Sequence, residues 1–252
     1  MNFKKKWGIR MRAVGIVGFK KSGKTTLALK IAKQLISQGF QVAAIKHVSE
    51  NIEQADTDSE KYKKYLSQVV VISPGETILF LRDTKNVDNI INFIEADFVL
   101  IEGFKNEKTF PKIVCLREQS EKEELLDGLE ICTATLFPEK VHQNFLDYSI
   151  LKDDDVRAMT KIIIEKAFKL PNLNCGGCGL PDCYSLAKAI IKGNKSIENC
   201  VALNSEVEVV VDGKKIPLNS FMSKMVKNTA YGMFSTLKGF KPGNINLKLK
   251  KN

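Results

Sequence analysis

The segment Gly18-Phe19-Lys20-Lys21-Ser22-Gly23-Lys24-Thr25 constrains this chain more than any other. It follows the pattern G-x-x-x-x-G-K-S/T. An apolar run, Ala13-Val14-Gly15-Ile16-Val17, precedes it, and Leu27, Leu29, Ile31, Leu35 and Ile36 recur at helical spacing behind it up to Gly39. Such a loop closes main-chain N–H groups around phosphate oxygens, and glycines keep side chains out of the way. The candidate nucleotide-binding residues are Gly18, Lys21, Ser22, Gly23, Lys24, Thr25 and Thr26. Lys24 reaches the terminal phosphates and the Thr25 hydroxyl suits magnesium. The helix expected over 23–38 aims its positive dipole end at the anion. A second apolar strand over 41–45 completes a right-handed βαβ unit.

Further apolar runs lie at 69–73, 77–81, 98–101, 112–116 and 129–136. Helical patterns fall at 60–66 and 87–94, and a closing helix over 153–169 starts with acids and ends with lysines. This alternation predicts an α/β P-loop fold with a mainly parallel sheet and helices on both faces. Within it, Phe98-Val99-Leu100-Ile101 leads into Glu102. The carboxylate is expected at the carboxyl edge of the sheet beside the phosphates, where it holds magnesium through water or orients an attacking water. Lys24 and Glu102 are therefore the candidate catalytic pair. The polar stretch Asp56-Thr57-Asp58-Ser59 offers Asp58 as a magnesium-sensing acid or as a helix cap, and His47 follows the second strand at the same edge. Thr84-Lys85-Asn86-Val87-Asp88 imitates a guanine-reading motif with its acid one residue late, so these residues leave GTP and ATP undecided.

Four of the six cysteines, Cys175, Cys178, Cys183 and Cys200, stand in the spacing C-x2-C-x4-C-x16-C. Cys115 and Cys132 lie in apolar runs and read as buried thiols. Three thiolates in one tight loop and a fourth behind a helix suit an iron–sulfur cubane better than a single zinc ion, which remains the alternative. Gly176, Gly177 and Gly179 free backbone N–H groups to approach cluster sulfides. Pro171 to Asn174 marks a boundary between a nucleotide domain, 1–170, and a small α+β domain, 171–252. The latter is expected to contain a hairpin turning at Asp212-Gly213, a helix over 220–237 and a strand over 245–249.

The net charge of +10 is concentrated at the ends: residues 1–12 carry five basic groups and 213–252 carry nine lysines, neither with an acid. This reads first as a pair of solvated termini. The basic C-terminal segment could also meet an anionic pterin phosphate or an acidic partner. No zinc-finger, RNA-recognition or helix-turn-helix signature points to nucleic acid. No apolar run approaches the roughly eighteen residues of a membrane span, and the basic start lacks a signal-peptide core, so a cytoplasmic protein is expected.

The segments Gly18 to Thr26, Ile45-Lys46-His47, Asp97 to Lys105 with its Glu102-Gly103-Phe104-Lys105, and Pro111-Lys112-Ile113-Val114 together resemble the molybdopterin-guanine dinucleotide biosynthesis protein B (MobB) family over roughly residues 11–137. The resemblance implies a P-loop fold of the signal-recognition, MinD and BioD-like class. It also implies GTP as ligand with weak hydrolysis, homodimers, and assistance to nucleotide attachment on molybdopterin, with the attaching enzyme or a molybdenum or tungsten client as partner. It assigns Gly23, Lys24 and Thr25 to phosphate and Mg2+, and Glu102 to the metal or water. Two departures stand out: only Asp56 to Ser59 represents the usual D-x-P-G-K-D-S-type loop, and Val48 follows Lys46-His47 where a further histidine is frequent. Residues 172–203 are similar to the four-cysteine 4Fe-4S domain of the electron-transport complex iron–sulfur component and of the corrinoid iron–sulfur component of acetyl-CoA decarbonylase/synthase. Two rival functions stay open: a redox-coupled ATPase serving a client enzyme, and a non-hydrolysing nucleotide-gated adapter. The cluster itself could also be only a structural staple.

Overall fold

The structure is a computed structural model that describes residues 11–48, 57–81, 86–91, 93–141, 147–205, 207, 209–211, 214–216, 218, 220–241, 243 and 245. The chain divides into two compact units, Met1–Lys169 and Leu170–Asn252. The first contains β1 (Arg12–Val17), α1 (Lys24–Ser37), β2 (Val42–Lys46), α2 (Thr57–Tyr65), β3 (Gln68–Ile72), β4 (Thr77–Leu81), α3 (Val87–Ile91) and β5 (Phe98–Glu102). It continues with β6 (Lys112–Leu116), α4 (Lys122–Leu125), β7 (Glu130–Thr135), β8 (Asp147–Ser149) and α5 (Asp153–Lys166).

Six strands pair in parallel in the order β2-β5-β1-β6-β7-β8. The inner strands are covered on both faces, so β1, β6 and β7 are buried almost throughout and read as continuous apolar runs rather than alternating ones. On one face Ala13, Val99, Ile101 and Phe110 pack with Val87 and Ile91. Helix α1 turns Leu27, Ile31 and Leu35 inward and lies beside α5. Strand register brings the polar ends together: Ile16 of β1 and Lys46 of β2 both stand opposite Glu102 of β5. The end of β2 and the end of β5 therefore meet at the carboxyl edge, next to the loop leaving β1.

Two expectations need correction. The apolar runs at 69–73 and 77–81 do not join the main sheet. They form a separate antiparallel pair, β3 with β4. A four-residue connection explains this, because it permits a hairpin but no parallel crossover. Ser73 closes the turn with Glu76, its amide and hydroxyl both donating to the Glu76 carbonyl. The apolar content misled because Val70, Ile72 and Leu79 are exposed rather than core residues. The closing helix also stops at Lys166, where Ala167 turns extended. This frees Lys169 to bind Asp88 and the Thr109 hydroxyl. Asp88, the acid of the imitation guanine motif, is thus engaged in an ion pair. Strand β8, only three residues long, was not legible.

In the second unit α6 (Cys183–Ile191) buries Leu186 and Ala187. Strands β9 (Val209–Val211) and β10 (Lys214–Ile216) form the expected antiparallel hairpin, and α7 (Ser220–Ser235) follows. The strand expected over 245–249 lies outside the described residues apart from residue 245, which is not in a strand.

One buried charge holds the first unit together. Lys112, at the start of β6, is 1% exposed. Its ammonium donates to Asp127 Oδ2 at 2.7 Å and to the Lys105 carbonyl at 2.7 Å, tying the segment after β5 to the sheet. Burial lowers the Lys112 pKa and works against the Asp127 carboxylate. Hydrogen bonds from Lys108 and Lys112 outweigh that burial and leave Asp127 below the usual carboxylate range. Removing one member of such a group leaves polar atoms uncompensated. Lys112→Met is expected to cost about 3 kcal/mol, read as a lower urea midpoint at an unchanged denaturant slope.

Candidate functional site

The loop between β1 and α1 has a conformation that its sequence dictates. Gly18 has φ 150°, and a Cβ there would lie 2.3 Å from the Cys115 carbonyl oxygen and 2.6 Å from Ser22 Oγ. Gly23, at φ 88°, caps α1 in a left-handed conformation, and a Cβ there would meet Leu136 at 2.8 Å. Both positions exclude side chains, which lets the backbone turn tightly into the helix. Gly23 supplies no capping side chain and the first turn carries no acid. The leading N–H groups of α1, Lys24, Thr25 and Thr26 among them, are thus left for an anion. Ser22 is fully buried, and its hydroxyl has no hydrogen-bond partner among the described residues. An orphaned buried hydroxyl inside such a loop fits a phosphate oxygen. Lys21 adopts φ 65° on the exposed rim. Lys24 folds back so that Nζ donates to the Phe19 carbonyl at 2.6 Å.

Beside the loop, Thr25 Oγ1 donates to Glu102 Oε1 at 2.7 Å. A hydroxyl and a carboxylate in contact are the hard oxygen donors that magnesium takes. Lys46 completes the group: Nζ donates to Thr25 Oγ1 at 3.2 Å and lies 3.4 Å from Glu102 Oε1. Glu102 is 13% exposed and Lys46 50%. His47 donates its backbone N–H to the Glu102 carbonyl, and its ring meets Phe104 edge-on at 4.9 Å. Asp58 sits in the first turn of α2, and its side chain lies outside the described residues.

On the other side of the loop an open cleft of about 400 Å3 is lined by Lys21, Arg117, Glu118, Phe137 and Lys140. Arg117 is fixed by Glu121, which accepts from its Nε at 2.5 Å and its backbone N–H at 2.8 Å. The guanidinium lies over the Phe19 ring at 5.2 Å. The sequence reading missed Lys46 as a site residue and missed this cleft altogether. The Lys46-His47 pair at the end of a strand was the available signal for the first. Nothing in the spacing of Arg117, Glu118 and Phe137 marked the second.

The cysteines separate into two groups. Burial pushes the Cys115 thiol up to about 12 and raises the Cys132 thiol further, so neither ionises under ordinary conditions. The other four lie in the second unit as free thiols. Cys183 and Cys200 are buried, Cys178 is half-buried and Cys175 is exposed. Asn174 Oδ1 accepts from the Cys183 N–H at 2.8 Å, and Asp182 caps α6 through the Ser185 N–H at 2.7 Å. Gly176 and Gly179 both take positive φ. Burial raises the Cys200 pKa; backbone hydrogen bonds oppose this, and the charges of Cys183 and Cys175 reinforce it. These three thiols therefore lie close enough to sense one another. Among the described residues no three Cys, His, Asp or Glu side chains are grouped around a single-ion position. Four free thiols on a capped, glycine-bearing loop match the donor set of an iron–sulfur centre.

The parallel sheet and the strand–loop–helix junction define the class: an α/β protein of the P-loop NTPase fold. The comparisons agree. A family model described as "MobB: Molybdopterin guanine dinucleotide synthesis protein B" matches residues 13–135, and one described as "Putative Fe-S cluster" matches 170–202. A "Putative molybdopterin-guanine dinucleotide biosynthesis adapter protein" of Methanocaldococcus jannaschii is 35% identical over 238 residues, 91% of this chain and 93% of that protein. The "Molybdopterin-guanine dinucleotide biosynthesis adapter protein" of Haemophilus influenzae is 31% identical over 143 residues, 53% of this chain and 80% of that protein. The crystal structure of Bacillus subtilis MobB matches with a TM-score of 0.52 at 26% identity, over 60% of this chain and 97% of that one. The chain belongs to the MobB family, and the match over 170–202 supports an iron–sulfur centre in its second unit.

The thiol grouping is directly testable. In metal-free protein at pH 8, iodoacetamide is expected to modify exposed Cys175 rapidly. Cys115 and Cys132 should stay unmodified until urea unfolds the chain, as read by peptide mass spectrometry. Modification of Cys115 in the folded protein would contradict the assignment.

Proposed function

We propose that the first unit is a Mg-GTP-binding, weakly hydrolysing module of a molybdopterin-guanine dinucleotide biosynthesis adapter, and that the second carries a 4Fe-4S cluster on Cys175, Cys178, Cys183 and Cys200. The observation that carries the reading is the uncapped start of α1 behind Gly18 and Gly23, with the Thr25–Glu102 contact beside it. The family relationship supplies the biosynthetic setting, with the nucleotide-attaching enzyme and the pterin cofactor as partners.

Residues in this loop perform separable tasks. The Lys24 ammonium exchanges the Phe19 carbonyl for phosphate oxygens and stabilises charge that develops on the terminal group. The backbone N–H groups of residues 23–26 and the Ser22 hydroxyl hold the phosphate chain. Thr25 Oγ1 and Glu102 are the oxygens that would hold magnesium, which when bound neutralises phosphate charge. Glu102 also orients the attacking water. Cys175, Cys178, Cys183 and Cys200 would ligate the cluster, and α6 covers it with Leu186 and Ala187. No helix among the described residues is long and apolar enough to cross a membrane.

The cleft beside Lys21 supports guanine as the base. Guanine presents two donors, N1–H and the 2-amino group, and the Glu118 carboxylate can accept both, with the Phe137 ring as a stacking surface. Glu118→Gln is expected to weaken GTP about tenfold and leave ATP unchanged in equilibrium titration. Anaerobically purified protein assayed for iron and acid-labile sulfide, then titrated with GTP and ATP, tests the whole reading. About four irons and four sulfides per chain with preferential GTP binding is the expected result. Zinc in their place, or ATP preference, would overturn the corresponding half.

A further inference from the structure

Lys46 occupies a position that the nucleotide reading leaves without a role. Its ammonium touches the same two oxygens, Thr25 Oγ1 and Glu102 Oε1, that are placed to take magnesium. The Thr25 hydroxyl gives its proton to Glu102 and receives the Lys46 ammonium on a lone pair. A metal coordinated by Thr25 needs that lone pair. A monovalent and a divalent cation also repel strongly at such separations in a partly buried site. Lys46 and a metal ion therefore compete for one seat.

We propose that Lys46 is the terminal-phosphate sensor of this site: a tethered cation that holds Thr25 and Glu102 together, yields its place to the incoming divalent ion, and transfers its hydrogen bonds to the terminal phosphate. The inference rests on the Mg-nucleotide reading of the loop. Three features support the exchange. Lys46 is half exposed, so its flexible stem can leave without unpacking the core, whereas Glu102 is nearly buried and stays. Lys46 is the last residue of β2 and stands in register with Glu102 at the carboxyl edge, on the side of the sheet where the loop opens. Among the anionic groups of a bound nucleotide, those next to the metal are the ones a displaced ammonium at this edge can reach. The next residue, His47, hydrogen-bonds through its amide to the Glu102 carbonyl and rests on Phe104. A shift of Lys46 is thereby felt at the start of the segment after β2.

The role predicts discrimination between triphosphate and diphosphate, which a purely structural ion pair would not produce. The experiment uses the full chain and measures GTP and GDP dissociation constants by equilibrium titration across a magnesium series. Wild type, Lys46→Met, Lys46→Gln and Lys46→Arg are compared, each checked by thermal melting. In Met and Gln variants the preference for GTP over GDP should fall about tenfold or more, the scale of one charge-assisted hydrogen bond. GDP affinity should stay within about twofold. The magnesium concentration for half-maximal GDP binding should drop several-fold, because no ammonium has to be displaced. Lys46→Arg should keep part of the preference. An unchanged GTP-to-GDP ratio in the Met and Gln variants, or an equal loss of both nucleotides, overturns the sensor role while leaving the nucleotide reading intact. Wild-type protein that binds neither nucleotide overturns both.

Discussion

The junction between β1 and α1 is the constraint on which the site depends. Two backbone positions there admit no Cβ, one against the Cys115 carbonyl and one against Leu136. That exclusion is enforced by the neighbouring strand and its following loop, not by the loop itself. The sheet order matters for the same reason. Because β1 lies between β5 and β6, the loop leaving it is flanked by Glu102 on one side and by Cys115 to Arg117 on the other. The helix start, the carboxylate and the cleft thus follow from one strand arrangement. The buried Lys112 group fixes the segment after Glu102 from beneath, so the stability of the sheet and the position of the carboxylate share an anchor.

Much of this was legible in the residues. Gly18 to Thr25 fixes its local geometry almost regardless of context, since glycine, lysine and threonine each answer a specific demand of an anion-binding turn. The Ile101-Glu102 strand end was equally readable, because an acid closing an apolar run must lie at an edge. The runs at 69–73 and 77–81 were not, because apolar content does not distinguish a buried parallel strand from a hairpin with exposed faces. Only the short Ser73–Glu76 connection separates the two. Lys46 was invisible for another reason. A lysine at a strand end is ordinarily solvated, and only the pairing of β2 with β5 brings it onto Thr25 and Glu102. Lys112 is the mirror case, a charge inside an apolar strand whose partner, Asp127, lies in a loop fifteen residues on.

The cysteines show how one residue type divides by surroundings. Cys115 and Cys132 sit in strands buried from both faces and remain protonated. The four in the second unit occupy a loop whose turns rely on Gly176, Gly179, Asn172 and Asn174 at positive φ, and on side-chain caps from Asn174 and Asp182. Ordering a chain this short around four thiols is easier when a metal centre links them, since small units bury little apolar surface. The spacing in sequence and the capped loop point to the same ligand set, and the family match over 170–202 covers all four.

The central claim is that backbone amides at the start of α1, closed by the Lys24 ammonium, seat a nucleoside triphosphate. Deleting that one charge tests it most directly. Lys24→Ala should keep its thermal midpoint within a few degrees and lose GTP affinity by about a hundredfold in equilibrium titration. A folded Lys24→Ala protein that binds GTP as tightly as the parent would contradict the account.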